Sequence, residues 1–271
     1  MAFETREEDA VAEATGVRRA DVVFVLDTTG SMAEVIGAVK NSINEVAEVY
    51  LESNILIRLS LIEFRDRVEA AKSGNHEFEY QEGGGRLPTL RVVDFKTAEP
   101  NSSEIFTRNF DAFKAAVSEL VADGGGPLEE SSLDALARAS KSEWKEGATR
   151  ILILLTDAPP NIPDYEMKSV AKTASEFTAE GIDQMFVLCP KIEIDEYRGL
   201  ARARTTKGGP IYWQFLPLEQ SSESSEIIDS LLQVATSSST SISGSELEEE
   251  EVPTVVFNDD DEDLDENPFL D

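Results

Sequence analysis

Two uninterrupted apolar runs constrain the fold of this chain more than anything else in it. The first, Val22-Val23-Phe24-Val25-Leu26, opens onto the turn Asp27-Thr28-Thr29-Gly30-Ser31-Met32. The second, Ile151-Leu152-Ile153-Leu154-Leu155, ends in Thr156-Asp157. Short runs of β-branched and aromatic residues bounded by Asp and Gly read as buried strands. A run that is apolar at every position, like the second, reads as a central parallel strand covered on both faces. Past Ser31, the residues Val35, Ile36, Val39, Ile43, Val46 and Tyr50 recur at helical spacing. The hexapeptide is therefore a turn between the carboxyl end of a strand and the start of a helix, where open α/β sheets bind ligands. It gathers a carboxylate and two hydroxyls at alternate positions, Asp27, Thr29 and Ser31. Hard oxygens on a tight turn suit Mg²⁺ or Mn²⁺, which keep several waters and take few protein ligands.

The remaining chain continues the alternation of strands and helices. Residues 55–64 read as a second strand closed by Arg65-Asp66-Arg67, and residues 68–88 as a glycine-rich hairpin tip or loop. That loop holds the single histidine, His76, expected to be a surface residue. Residues 89–95 supply a third strand, and Asn101-Ser102-Ser103-Glu104 reads as a capping box opening a helix. Phe106, Phe110, Phe113, Val117, Leu120 and Val121 would line its inner face, with Gly124-Gly125-Gly126 ending it. Helices over residues 128–144, 165–180 (ended by Gly181), 193–204 and 225–234, with strands over 150–157, 184–188 and 211–215, complete the pattern. The fold class that follows is α/β: a doubly wound, mostly parallel central sheet with helices on both faces. The single cysteine, Cys189, reads as a packed core thiol.

The turn at Asp27 resembles the first motif of the von Willebrand factor type A (vWA) domain, the metal-ion-dependent adhesion site Asp-x-Ser/Thr-x-Ser. Three further segments resemble the same family in the same order. Leu61-Ile62-Glu63-Phe64-Arg65-Asp66 is similar to the second strand of intracellular bacterial members, and Val92-Val93-Asp94-Phe95 with Asp123-Gly124-Gly125-Gly126 to their middle section. Leu154-Leu155-Thr156-Asp157-Ala158-Pro159 is similar to the third metal-site motif. The resemblance implies a vWA, Rossmann-like domain over residues 20–237 with one antiparallel edge strand. It also implies that Thr29 and Ser31 bind the ion directly, Asp27 and Asp157 mostly through water, and that an Asp or Glu from another protein completes the shell. Bacterial members commonly read Gly-Gly-Gly-Asp-x-Pro-Glu where this chain has Gly124-Gly125-Gly126-Pro127-Leu128-Glu129-Glu130. Glu130 matches the motif's Glu. Pro127 stands where relatives place Asp or Thr, and proline offers no side-chain ligand.

Charge and composition narrow the partners. A net charge of −30 over 271 residues argues against a nucleic-acid surface and against docking on anionic lipids. No apolar stretch approaches the roughly 18 residues of a membrane span. The acidic start lacks the order of a signal peptide, and one cysteine cannot form an internal disulfide, so a cytoplasmic setting is expected. Residues 1–19 read as a solvated extension or an arm on the domain. Residues 238–271 read as a Ser/Thr-rich linker, beginning near Thr236, and a disordered acidic tail. Apolar residues interrupt the acid blocks of that tail, at Val252, Val255-Val256-Phe257, Leu264 and Phe269-Leu270. That pattern suits a docking peptide for a basic partner surface better than an inert tail.

The function expected is a metal-ion-dependent protein–protein interaction module, with Mg²⁺ or Mn²⁺ on Asp27, Thr29, Ser31, Asp157 and Glu130. Similar intracellular proteins act as adaptors or substrate-recognition subunits, for MoxR-type AAA+ ATPases among others, or in multi-protein stress and conflict systems. Two alternatives stand beside it: a scaffold with a decayed metal site that binds through its tail, and a metal-dependent hydrolase. An enzyme is not expected, because no nucleophile–base pair and no Walker-type phosphate loop accompany the aspartates.

Overall fold

The computed structural model describes residues 17–80, 85–95, 105–126, 128–218 and 224–243. In chain order the first elements are β1 (Arg18–Asp27), α1 (Ala33–Glu52), β2 (Ile55–Phe64) and α2 (Arg67–Lys72). Three short strands follow, β3 (Phe78–Tyr80), β4 (Arg86–Pro88) and β5 (Leu90–Val92), then α3 (Phe110–Ser118), α4 (Ser132–Ser140) and β6 (Thr149–Leu155). The last are α5 (Val170–Glu180), β7 (Gln184–Cys189), α6 (Ile194–Tyr197), β8 (Tyr212–Pro217) and α7 (Ser224–Ser243).

The main sheet has six strands in the order β5-β2-β1-β6-β7-β8. All neighbours run parallel except β5, which lies antiparallel against β2 with Ile62 opposite Val92. β1 is central because its alternate residues bury on opposite faces. Phe24 and Leu26 join the core under α1, α3 and α7, whereas Val23 and Val25 join the core under α4 and α5. The chain is thus an α/β protein with a doubly wound sheet, as expected. Strand order reverses between β1 and β6, whose registers run from Ala20 opposite Thr149 to Leu26 opposite Leu155. Loops leaving two such strands diverge to opposite faces and open a crevice at their carboxyl ends.

Several boundaries differ from the sequence reading, each for a local reason. Of the hairpin or loop expected over residues 68–88, the structure has the hairpin, β3–β4, and adds α2 before it. Asp66 caps α2 by accepting from the amides of Val68 and Glu69, and a six-residue helix is too short to declare a period. The capping box at 101–104 lies outside the described residues. α3 starts only at Phe110, capped by Asn109, while Phe106 belongs to an extended segment whose Thr107 bridges Leu59. The helices expected over 128–144 and 165–180 are shorter, Ser132–Ser140 and Val170–Glu180. The expected helix over 193–204 is α6 flanked by two 3₁₀ turns. α7 continues through the stretch read as a linker, to Ser243. Gly181 ends α5 in the left-handed conformation, φ 65°. Cys189 is fully buried, and His76 stacks on Tyr165 with ring centroids 4.2 Å apart. Among the described residues no helix is long and apolar enough to cross a membrane. The expected N-terminal extension, apart from its start of β1, and the acidic tail lie outside the described residues.

Candidate metal centre

β1 delivers Asp27 to the sheet's carboxyl edge, and backbone pairing continues one residue beyond it, with Thr28 N donating to Phe64 O at 3.0 Å. The turn then folds over its own aspartate. Thr29 N and Thr29 Oγ1 both donate to Asp27 Oδ1, at 2.9 and 2.8 Å. Thr156 Oγ1, from the end of β6, donates to Oδ2 at 2.7 Å. Asp27 is fully buried, and burial lifts its carboxyl to about 6 in spite of these three bonds, with the charge of Asp157 adding to the rise. Thr29 gives its only hydroxyl proton to Asp27, so its remaining lone pairs are free to accept. Ser31 Oγ lies 3.4 Å from Thr29 Oγ1 on the exposed side of the turn. Asp157, half-buried, stands two residues past the end of β6.

Glu130 approaches from the facing loop, held by its backbone. Its N–H donates to Pro159 O at 3.0 Å, and its carbonyl accepts from Asn161 N at 2.8 Å. The side chain is 4% exposed. Oε1 accepts from Gly126 N at 3.3 Å, while Oε2 is buried and, among the described residues, has no hydrogen-bond partner. Burial, then the neighbouring carboxylates Asp27, Asp66 and Glu79, push the Glu130 carboxyl up to about 10. A buried carboxylate with an unused oxygen among other acids is costly unless a proton or a cation sits there.

The glycine loop closes the rim. Gly125 has φ 105°, and a Cβ on it would stand 2.7 Å from Thr29 Cγ2 and 3.0 Å from Glu130 Oε1. Only glycine permits both that backbone angle and that approach. Arg65, fully buried, clamps the loop to β2: it donates to the carbonyls of Asp123 (2.9 Å), Val121 (2.6 Å) and Pro88 (2.6 Å). Its charge is balanced by Glu63, 3.3 Å away.

The structure thus brings Asp27, Thr29, Ser31, Asp157 and Glu130, read from the sequence, to one edge at the β1–β6 switch point. Pro127 lies outside the described residues. The sequence reading missed three contributors. Thr156 fixes Asp27, and the acids Asp66 and Glu79 crowd Glu130. Glu79 Oε2 also accepts from Gly125 N at 3.0 Å. Thr156 had a signal in the Thr-Asp ending of β6; Glu79 sits on a strand that only the tertiary fold carries to the loop. Among the described residues no three His, Cys, Asp or Glu side chains gather closely enough to hold a metal by themselves. The donors that fit an ion here are the Thr29 and Ser31 hydroxyls, backed by acids.

No family model matches the chain. Over 187 residues it is 23% identical to the alpha-protein kinase vwkA of Dictyostelium discoideum. The aligned region is 69% of this chain and 26% of that protein, so the larger part of the kinase has no counterpart here.

Proposed function

We propose that the chain is a vWA-like adhesion module that holds Mg²⁺ or Mn²⁺ at this rim and binds a protein partner through the ion. The observation that carries the reading is the buried Oε2 of Glu130, partnerless among the described residues and set among acids, with its side chain across Gly125 from Thr29. A divalent cation would answer both the orphaned oxygen and the mutual repulsion. Thr29 and Ser31 would bind it directly, with Asp27, Asp157 and Glu130 supplying charge. Such an ion keeps exchangeable water positions, one of which a carboxylate from another protein can take. The partner is accordingly a protein presenting Asp or Glu, a MoxR-type AAA+ ATPase or its substrate being the kind the vWA resemblance suggests.

The role is that of an adaptor in the cytoplasm, with the acidic tail docking a basic surface on a second partner. The net charge of −30 disfavours nucleic acid and anionic membrane as partners. Binding rather than catalysis is proposed: kinase activity belongs to a relative of which the alignment covers 26%.

Mn²⁺ titrated into the full chain, read by loss of the free-ion electron paramagnetic resonance signal, tests the ion. Capture from cell extract in Mg²⁺ and in EDTA tests the partner. The reading expects Asp27→Asn to lose both the ion and an EDTA-sensitive partner while staying folded. Capture indifferent to EDTA and to Asp27→Asn would instead leave the scaffold that binds through its tail.

A further inference from the structure

The glycine loop lies directly on the metal turn. Asp123 N donates to Thr28 O at 3.1 Å, and Gly30 N donates to Gly124 O at 3.3 Å. Carboxylates from three other segments stand around this loop. Glu79 Oε2 accepts from Gly125 N, and a Cβ on Gly124 would overlap the same oxygen. Asp66 Oδ2 would meet a Cβ on Gly126, whose amide goes to Glu130 Oε1. The charges also feel one another. After burial, the first cause in each case, Asp157 raises the Asp27 carboxyl; Asp27, Asp66 and Glu79 raise that of Glu130; and Asp66 and Asp123 raise that of Glu79. Asp27, Asp66, Glu79, Asp123, Glu130 and Asp157 thus form one continuous acidic field. What sets it apart from a solvated acidic face is Glu130, 4% exposed with Oε2 partnerless among the described residues, which calls for a positive ligand.

The cations placed beside these acids are engaged elsewhere. Arg65 is buried and balanced by Glu63, which also pairs with Arg91. Arg67 pairs with Asp134 and Glu166, and Lys72 with Glu69. Arg86 stands over the Tyr80 ring, towards the tip of the β3–β4 hairpin. One divalent ion brings two positive charges to this field, so the loaded rim stays acidic. A carboxylate arriving to complete the ion's shell gains from the ion and is repelled by everything around it. Positive charge next to that carboxylate removes the repulsion. Two of the acids are open to such a neighbour: Asp123 is exposed and Glu79 half-buried. Gly125 stands between Glu79 and the metal turn, with its amide on Glu79 and a Cβ position 2.7 Å from Thr29 Cγ2. That is the width of one residue, which one or two positions of an extended segment span, about 3–7 Å.

We propose that the partner segment bound at this rim carries a Lys or Arg one or two positions from the carboxylate that meets the ion, and that Asp123 and Glu79 select it. The inference rests on the metal-dependent reading above and narrows its partner. A segment rich in acids, although it offers many carboxylates, is rejected by like charge, whereas a single acid in a basic setting is accepted.

The test uses the full chain at saturating Mn²⁺ and short fluorescent peptides in a Gly/Ser frame, read by anisotropy, with Mn²⁺ binding followed in parallel by paramagnetic resonance. The peptides carry a central Asp flanked by lysines, by serines or by glutamates, and a control carries Asn flanked by lysines. The Lys-flanked Asp peptide is expected to bind ~10-fold tighter than the Ser-flanked one at low salt, as two exposed charge pairs allow, and the gap should close in about 0.5 M KCl. The Glu-flanked peptide should bind most weakly, and EDTA should release all of them. In the double variant Asp123→Asn, Glu79→Gln the Lys-to-Ser ratio should fall to within ~2-fold. The ratio is taken within one protein, so a change in Mn²⁺ affinity cancels. If the three Asp peptides bind alike and EDTA releases them, the basic flank is overturned and the metal reading stands. If Mn²⁺ does not bind, both fall. Mn²⁺ binding without measurable binding of the Lys-flanked Asp peptide at millimolar concentration also overturns the proposal. So does an Asn control that binds as tightly as its Asp counterpart, because the attraction is then the general one of a chain of net charge −30 for lysines.

Discussion

Glu130 keeps one oxygen for the Gly126 amide and one for nothing else in the described protein. With its carboxyl raised to about 10 by burial and by Asp27, Asp66 and Glu79, it is protonated at neutral pH until a cation arrives. Glu130→Gln mimics that neutral form in shape and charge. Cation-free stability should therefore change by no more than about 1 kcal/mol in urea unfolding. Mn²⁺ affinity should fall ~10-fold or more, about 1.4 kcal/mol or greater, by calorimetric titration. A second buried acid sets a pH dependence away from the ion. Asp164 is 1% exposed, and burial, then the charge of Asp134, lifts its carboxyl to about 7. Between about pH 4 and about pH 7 the native protein then holds a proton that the unfolded chain has released, so stability falls as pH rises through that window. Asp27 and Asp134 are raised as well and push in the same direction. Each such carboxyl contributes about 1.4 kcal/mol per pH unit, so with Glu130 counted beside Asp164 and Asp27, unfolding free energy in EDTA should fall by roughly 3–4 kcal/mol per pH unit near pH 5. Asp164→Asn should flatten that slope while lowering stability overall, because both carboxylate oxygens accept backbone amides, from Asp134 and Tyr165.

Elements whose pattern repeats were legible; elements held only by tertiary contact were not. β2 coincides with its expected span of residues 55–64 because Ile55, Ile57, Leu59 and Leu61 recur at every second position, an alternation that Arg58, Ser60 and Glu63 interrupt only with polar residues. α7 shows the opposite case. Its last turns carry serine and threonine, whose side chains compete with the backbone and whose composition resembles a linker. In the fold, Thr236 and Thr240 turn their hydroxyls back onto Leu232 O and Thr236 O, at 2.9 and 2.8 Å. Ser238 and Ser239 are buried, and Ser238 satisfies the buried Gln184. Packing of this helix against α1, rather than propensity, holds it. Proline at Ser239 separates the two descriptions. In a linker Ser239→Pro would be neutral, whereas inside this helix it should cost about 3 kcal/mol or more in chemical denaturation.

At the scale of the whole molecule, the legible part of the site was the part carried by strand ends. Asp27 and Asp157 terminate apolar runs, and the sheet order places those runs side by side, so two residues far apart in sequence were readable as one edge. What stayed hidden depends on loops crossing that edge: the Arg65 clamp, the approach of Glu79, and the contact of Gly125 with Thr29 and Glu130. Those interactions concentrate negative charge at one end of an already acidic protein, so the cation should act on global stability as well as on the partner. A ligand that binds only the native state at about a hundred times its dissociation constant adds about 2.7 kcal/mol. For a domain of this size that is a rise of roughly 5–10 °C in Tm. Saturating Mg²⁺ should give such a shift by scanning calorimetry, and EDTA should reverse it. Asp27→Asn should remove the shift without lowering the cation-free Tm by more than about 2 °C, because the Thr156 hydroxyl can turn from donor to acceptor when it faces an amide. A cation-free Tm that falls steeply in Asp27→Asn would mean that the buried carboxylate is structural first, and that the rim's acids are held by the fold rather than poised for an ion.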